Sequence, residues 1–279
     1  MDRTFMASGK SIGCILVLLA GILGVARSAE VQNELAEVWN YLAEGQSVEA
    51  RVALRKADTI DQRERALAGA ILTLSRSPVA GGRVPEIDRM LADLAIGTDE
   101  ISVQALYLRG RLHQIHTPDP DFGQAEKLYR ELSRRWPASH WAQLGLVKLG
   151  LMQLYALHGP AAPADRLAEA ITTLEAIVEP ELRRDLQLQI GWAGLYYDRP
   201  LHEVLPHLVA AEQAGGLQGL LPEDLVLQIG ELSSRAGHTQ QARTYFQRFL
   251  REFPVSPRRY NVQQRLAELE EREGHDGGS

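Results

Sequence analysis

The chain has 279 residues, 45% hydrophobic and 24% charged, with a formal net charge of −6 and one cysteine. That length suits one large domain or two small ones. A lone cysteine excludes a disulfide framework and a CxxC redox or zinc-ribbon site, and the acidic balance gives no argument for nucleic acid. Only four of the 30 basic side chains are lysine, a usage shared with GC-rich bacteria.

The first element is the uncharged run Ile12–Ala26, preceded by Arg3 and Lys10. Its 15 residues fall short of the roughly 20 that span a bilayer and fit the apolar core of a secretory signal. Ala26-Arg27-Ser28 supplies small residues for cleavage, which would make Ala29 the mature N-terminus. Residues 1–28 are therefore read as a signal peptide; the alternative is an uncleaved anchor in the inner membrane. Cys14 precedes the apolar run, so it does not serve as a lipobox cysteine. Cleavage would remove Cys14 and leave a cysteine-free chain, which cannot form wrong disulfides in an oxidising periplasm.

The rest of the chain repeats. Gly69, Gly110, Gly150, Gly191 and Gly230 sit in helical apolar patterns, separated by 41, 40, 41 and 39 residues. Glycine within a helix costs about 0.5–1 kcal/mol relative to alanine, so recurrence at this spacing points to close helix packing. The last two glycines end the same string, D-L-x-L-Q-I-G, from Asp185 and Asp224. Turn residues follow each glycine helix, as at Pro118–Pro120, Asp198–Pro200 and Gly237. A second amphipathic helix comes next, marked by Leu128, Tyr129 and Leu132 in one repeat and by Phe246, Phe249 and Leu250 in another. No run alternates long enough for a strand. The pattern predicts about six helical hairpins and a terminal capping helix near Arg258–Arg272.

Residues 223–256 carry Ile229, Gly230, Ala242, Phe246, Phe249 and Pro254 without a gap, and residues 103–139 carry Ala125, Tyr129, Leu132 and Pro137. This spacing resembles the tetratricopeptide repeat (TPR). Gly110 comes three residues early for that pattern, and the loop Thr117–Asp121 absorbs the difference. Gly45 and Ala50 mimic Gly237 and Ala242, so residues 31–57 resemble a degenerate first repeat. Ala170, Leu174 and Ile177 form a partial second helix after an insertion at 158–165. The junctions Ala242–Pro257 and Leu128–Ser139 resemble those of bacterial envelope TPR proteins of the Tol–Pal-associated and outer-membrane assembly types. The resemblance implies an all-α, TPR-like, right-handed helical-hairpin solenoid over residues 29–272, with residues 273–279 a disordered tail.

No catalytic, metal or cofactor constellation emerges. His113 and His116 share a helical spacing but lack a third ligand, and no HExxH, GxSxG or phosphate-binding glycine motif occurs. In TPR arrays the first helix of each hairpin lines a groove, at the sixth and third residues before the glycine and the first and fourth after it. Around Gly230 that rule gives Asp224, Leu227, Glu231 and Ser234, and over the array the candidate groove residues are Tyr107, Arg111, Leu144, Val147, Leu151, Leu154, Leu188, Trp192, Leu195 and Glu231. The central apolar positions imply either a docking surface anchored by Trp192 or an internal core. The expected function is an exported, non-enzymatic scaffold that binds a protein or peptide partner in the bacterial cell envelope. Homo-oligomerisation through the groove and an accessory role in a secretion or hydrolase system are the alternatives. A cofactor and nucleic acid are not expected, and membrane contact is expected only through an uncleaved signal.

Overall fold

The computed structural model describes residues 29–75, 81–157 and 162–276. Residues 1–28, on which the signal-peptide reading falls, residues 76–80, residues 158–161 of the insertion and residues 277–279 lie outside the described residues. Apolar side chains at three- and four-residue steps make one stripe per helix, and each stripe is buried by pairing with the next helix. The described residues form thirteen helices and no strand. They are α1 (Ala29–Ala43), α2 (Ser47–Lys56), α3 (Gln62–Leu74), α4 (Val84–Leu94), α5 (Glu100–Arg111), α6 (Phe122–Arg135) and α7 (His140–Tyr155), followed by α8 (Pro163–Glu175), α9 (Pro180–Tyr196), α10 (Leu201–Ala214), α11 (Leu221–Arg235), α12 (Thr239–Glu252) and α13 (Arg259–Asp276). The order gives six helical pairs, α1/α2 through α11/α12, and a terminal helix. The fold is all-α, of the TPR-like helical solenoid class. Helix α13 runs to Asp276, beyond the expected end at Arg272. Two compact units divide between Gly145 and Leu146, inside α7.

Helix starts follow local chemistry. Asp61, Asp99 and Asp121 cap α3, α5 and α6 by accepting from Arg63 N, Ser102 N and Gln124 N, satisfying donors that the helix cannot. Pro85, Pro163, Pro180 and Pro222 stand in the first turns of α4, α8, α9 and α11, where a missing N–H costs nothing.

Three of the hairpin turns share one geometry. After α11, Gly237 has φ +76°, its N–H bonds the Ser234 carbonyl at 3.2 Å, and His238 N–H reaches back to Ser233 at 2.9 Å. After α1, Gly45 also has φ +76°, with Gly45 N–H to Leu42 at 3.0 Å and Gln46 N–H to Tyr41 at 2.8 Å. This is the glycine-terminated double bond that closes many helices, and the turns at Gly45 and Gly237 share it. After α9 the pair recurs as Asp198 N–H to Leu195 at 3.1 Å and Arg199 N–H to Gly194 at 2.8 Å, but the residue at positive φ (52°) is an aspartate.

Four of the six hairpins then bury an alanine and a larger residue a helical turn later. Ala50, Ala125, Ala170 and Ala242 are all at 0% exposure, and Leu54, Tyr129, Leu174 and Phe246 are buried with them. Opposite them the glycines admit the partner. A Cβ on Gly110 would lie 2.6 Å from the Tyr129 ring, on Gly191 2.4 Å from Leu208, and on Gly230 2.7 Å from the Phe246 ring. Gly150 differs, because its close neighbour is Leu186 of α9, in the next hairpin, at 2.7 Å. Gly69 has nothing within 4 Å.

The early position of Gly110 is resolved in the helix itself. Helix α5 passes into a π turn, Leu112–His116, whose wider hydrogen-bonded rings take up extra residues before the loop. Asp121 N–H then closes the loop on the His113 carbonyl at 2.9 Å.

Gly230→Ala drives a methyl into a buried ring, so thermal unfolding should show a loss of about 1–2 kcal/mol, overpacking exceeding the helical gain. Gly69→Ala meets open space and should raise stability by about 0.5–1 kcal/mol. Asp198→Gly relieves a left-handed backbone and should raise it by about 1 kcal/mol in denaturant titration.

Candidate functional site

In the first unit the predicted groove residues belong to a packed network. Tyr107 is buried, its ring centroid 5.2 Å from Trp141 and 6.2 Å from Tyr129. Burial pushes its hydroxyl up to about 12, with Arg111 opposing. Arg111 Nη1 donates to Gln114 Oε1 at 2.8 Å, and the Tyr129 hydroxyl donates to the same oxygen at 2.9 Å. Trp141 Nε1 donates to Glu100 Oε1 at 2.6 Å. These bonds tie α5, α6 and the start of α7 together, where Leu144 is half-buried.

The paired histidines serve packing. Arg109 grips Asp88 through Nε at 2.7 Å and Nη2 at 3.1 Å, and His113 Nε2 donates to Asp88 Oδ1 at 3.0 Å. Burial raises the Asp88 carboxyl, but the bonds from His113 and Arg109 outweigh it and hold the group well below the usual carboxylate range. His116 leaves Nδ1 buried without a hydrogen-bond partner. Burial, assisted by the Arg111 charge, lowers this imidazole to about 4. In the second unit, His207 Nδ1 is likewise buried and unpartnered, and burial lowers its pKa. Among the described residues no three His, Cys, Asp or Glu side chains cluster as metal ligands, and no helix is long and apolar enough to cross a membrane.

The second unit holds the remaining predicted residues. Val147, Leu154 and Leu188 are buried, and Leu151, Trp192 and Leu195 are half-buried. Trp192 packs against the core formed by Leu205, Leu225, Ile229 and Phe246, and its Nε1 donates to Gln228 Oε1 at 3.2 Å. Its polar edge therefore joins α9 to α11. Glu231 is exposed on α11. Consecutive helical residues project about 100° apart, so Gly230 faces α12 while Glu231 faces away from it.

Two clefts meet at Glu231. One, of about 340 Å³, lies between α9, the start of α10 and α11, with Leu195, Asp198, Arg199, Gln228 and Arg235 on its walls. The other, of about 510 Å³, lies between α11 and α13, walled by Leu227, Arg258, Asn261, Val262, Arg265 and Glu268. Ion pairs occupy most of the arginines. Arg199 pairs with Glu203 at 2.8 Å, Arg258 with Asp224, and Arg265 with Glu268 at 3.3 Å.

The residues of α13 were not among the sequence candidates, because that helix reads as a cap. Advancing Asp224, Leu227, Glu231 and Ser234 by one repeat of about 34 residues gives Arg258, Asn261, Arg265 and Glu268, all of which wall the second cleft. Helix α13 thus stands in the first-helix register, one repeat on from α11. The positional rule, carried one repeat further, finds its lining.

Residues 224–256 match the family model described as Tetratricopeptide repeat. That match and the all-helical fold support a TPR protein. A search of curated proteins finds no match to the chain. TPR repeats generally mediate protein partner binding and are generally non-catalytic, and the matched segment spans α11 and α12, one wall of both clefts.

The buried imidazoles set a pH dependence. A histidine lowered in the fold stabilises fully above its unfolded value near 6.5, and that contribution is lost as pH falls from there toward about 4 for His116. The Asp88 contribution persists through this window and is lost only as pH falls below the ordinary aspartate value near 3.9. The wild-type melting temperature should therefore drop between pH 7 and 5. A His116→Leu, His207→Leu double variant should drop distinctly less in the same melts.

Proposed function

We propose that this chain is an exported, non-enzymatic scaffold of the bacterial cell envelope that binds a protein or peptide partner through the first-helix face of its second unit. The observation that carries the reading is the pair of clefts meeting at Glu231, walled by α9, α11 and α13. A repeat stack leaves such a face open because each hairpin buries its stripe against its own partner and its neighbours. Apolar side chains at Leu195 and Leu227, set among polar ones, offer burial for a peptide side chain and donors and acceptors to orient it. The residues selected in the first unit, Tyr107 and Arg111, act as support for α5 and α6, since their contacts are internal. Export rests on the apolar run Ile12–Ala26 and the small residues before Ala29, and the envelope setting on the resemblance of the repeat junctions.

The test is a photocrosslinking residue placed at Leu227, on the cleft face, or at Thr244, on the exposed face of α12, in the native host. A discrete partner band from Leu227 and none from Thr244, on a protein recovered from the periplasmic fraction with a mass beginning at Ala29, is the expected outcome. Equal bands from both positions would remove the cleft face as the binding surface. A cytosolic chain retaining residues 1–28 would remove export.

A further inference from the structure

Charge at the junction of the clefts is uneven. Among the second cleft's charged groups, Arg258 is hydrogen bonded to Asp224 and Arg265 is paired with Glu268, while the Glu231 carboxylate has no hydrogen bond or ion pair among the described residues. Arg258 feels Glu231 electrostatically, but its guanidinium is already committed to Asp224. In the first cleft Arg199 is held at both nitrogens by Glu203, leaving Asp198 and Glu231 against the single cation Arg235. After internal pairing, the second cleft keeps one carboxylate, Glu231, and the first keeps two, Asp198 and Glu231, against Arg235, so Glu231 is the carboxylate common to both. Glu231 and Arg235 stand four residues apart on α11, a spacing that allows an ion pair, yet they do not pair.

From this we infer that the partner presents a lysine or arginine side chain to Glu231, entering along the α11–α13 cleft. The inference rests on the reading of this face as the partner site. A carboxylate accepts several hydrogen bonds, and Glu231 brings that capacity to the junction unspent. Leu227, half-buried and one turn before Glu231 on α11, lies where the methylene stem of a long basic side chain can rest while its charged end reaches the carboxylate. Arg235, which has no ion pair among the described residues, lines only the α9–α11 cleft, whereas both arginines of the α11–α13 cleft are paired with carboxylates, so an incoming cation is opposed less on the α13 side. An acidic segment meets the opposite field there, and its carboxylate would have to break the Arg258–Asp224 or Arg265–Glu268 pair to find a donor.

The experiment titrates the full chain into fluorescein-labelled synthetic peptides identical except at one position, Lys, Arg, Gln or Glu, flanked by leucines, and reads anisotropy. At low salt Lys and Arg should bind about fivefold more tightly than Gln and about tenfold more tightly than Glu, the modest size expected of a partly exposed pair. The spread should shrink in 0.5 M salt through screening. Glu231→Gln should abolish the preference, Glu231→Arg should reverse it toward the Glu peptide, and Arg235→Gln should preserve or widen it. Peptides that bind without regard to charge, or a preference that survives Glu231→Gln, would overturn the cation assignment and leave the cleft face standing as a binding surface. Failure of every peptide to bind would overturn both.

Discussion

In three hairpins the two helices pack a glycine of the first against an aromatic or leucine side chain of the second. At Gly230 the Phe246 ring occupies the space a side chain would take, and at Gly110 and Gly191 the intruders are Tyr129 and Leu208. This contact sets the distance between the two helices and the rotation of each about its axis. Because helical residues project at fixed angles, seating Gly230 against α12 also turns Glu231 away from it. The cleft face follows from the packing face.

Closure of three hairpins depends on a second constraint, the left-handed residue after the first helix. Gly45 and Gly237 take it without strain, and Asp198 takes it despite its side chain. That aspartate also lies in the wall of the first cleft, where it contributes one of the two carboxylates left against Arg235. Strain retained next to a binding face is a recurring arrangement. Ion pairs then tie neighbouring helices and decide which charges stay free. Arg248 bridges α12 to Glu212 of α10 at 2.7 Å, as Arg258 joins α13 to Asp224 of α11. What remains unpaired at Glu231 is the remainder of that internal matching.

The two units handle their predicted groove positions differently. In the first, Tyr107 and Arg111 are drawn into an aromatic and amide network around Gln114, with the π turn following directly. In the second, Glu231 of α11 and Arg265 and Glu268 of α13 stay exposed. Trp192 sits between these outcomes. Its ring packs on the core while its N–H is bound to Gln228, so its contribution to the cleft is to hold α9 against α11.

Much of this was legible in residue order alone. Periodic apolar residues, glycines near 40 residues apart, the alanine–aromatic–proline spacing of residues 223–256 and the turn glycines Gly45 and Gly237 determine six hairpins, because helix pairing and turn closure are local and depend on residue type at fixed offsets. Tertiary structure decided which faces meet and which charges are already satisfied. A glycine string has the same letters whether its neighbour is its own second helix, as at Gly191, the next hairpin, as at Gly150, or open space, as at Gly69. Likewise Glu231 differs from Asp224 by its surroundings, since Arg258, 34 residues distant from Asp224, folds back onto one carboxylate and leaves the other unpaired. Burial and ion pairing are set by what arrives from elsewhere in the chain, and that information exists only once the hairpins have stacked.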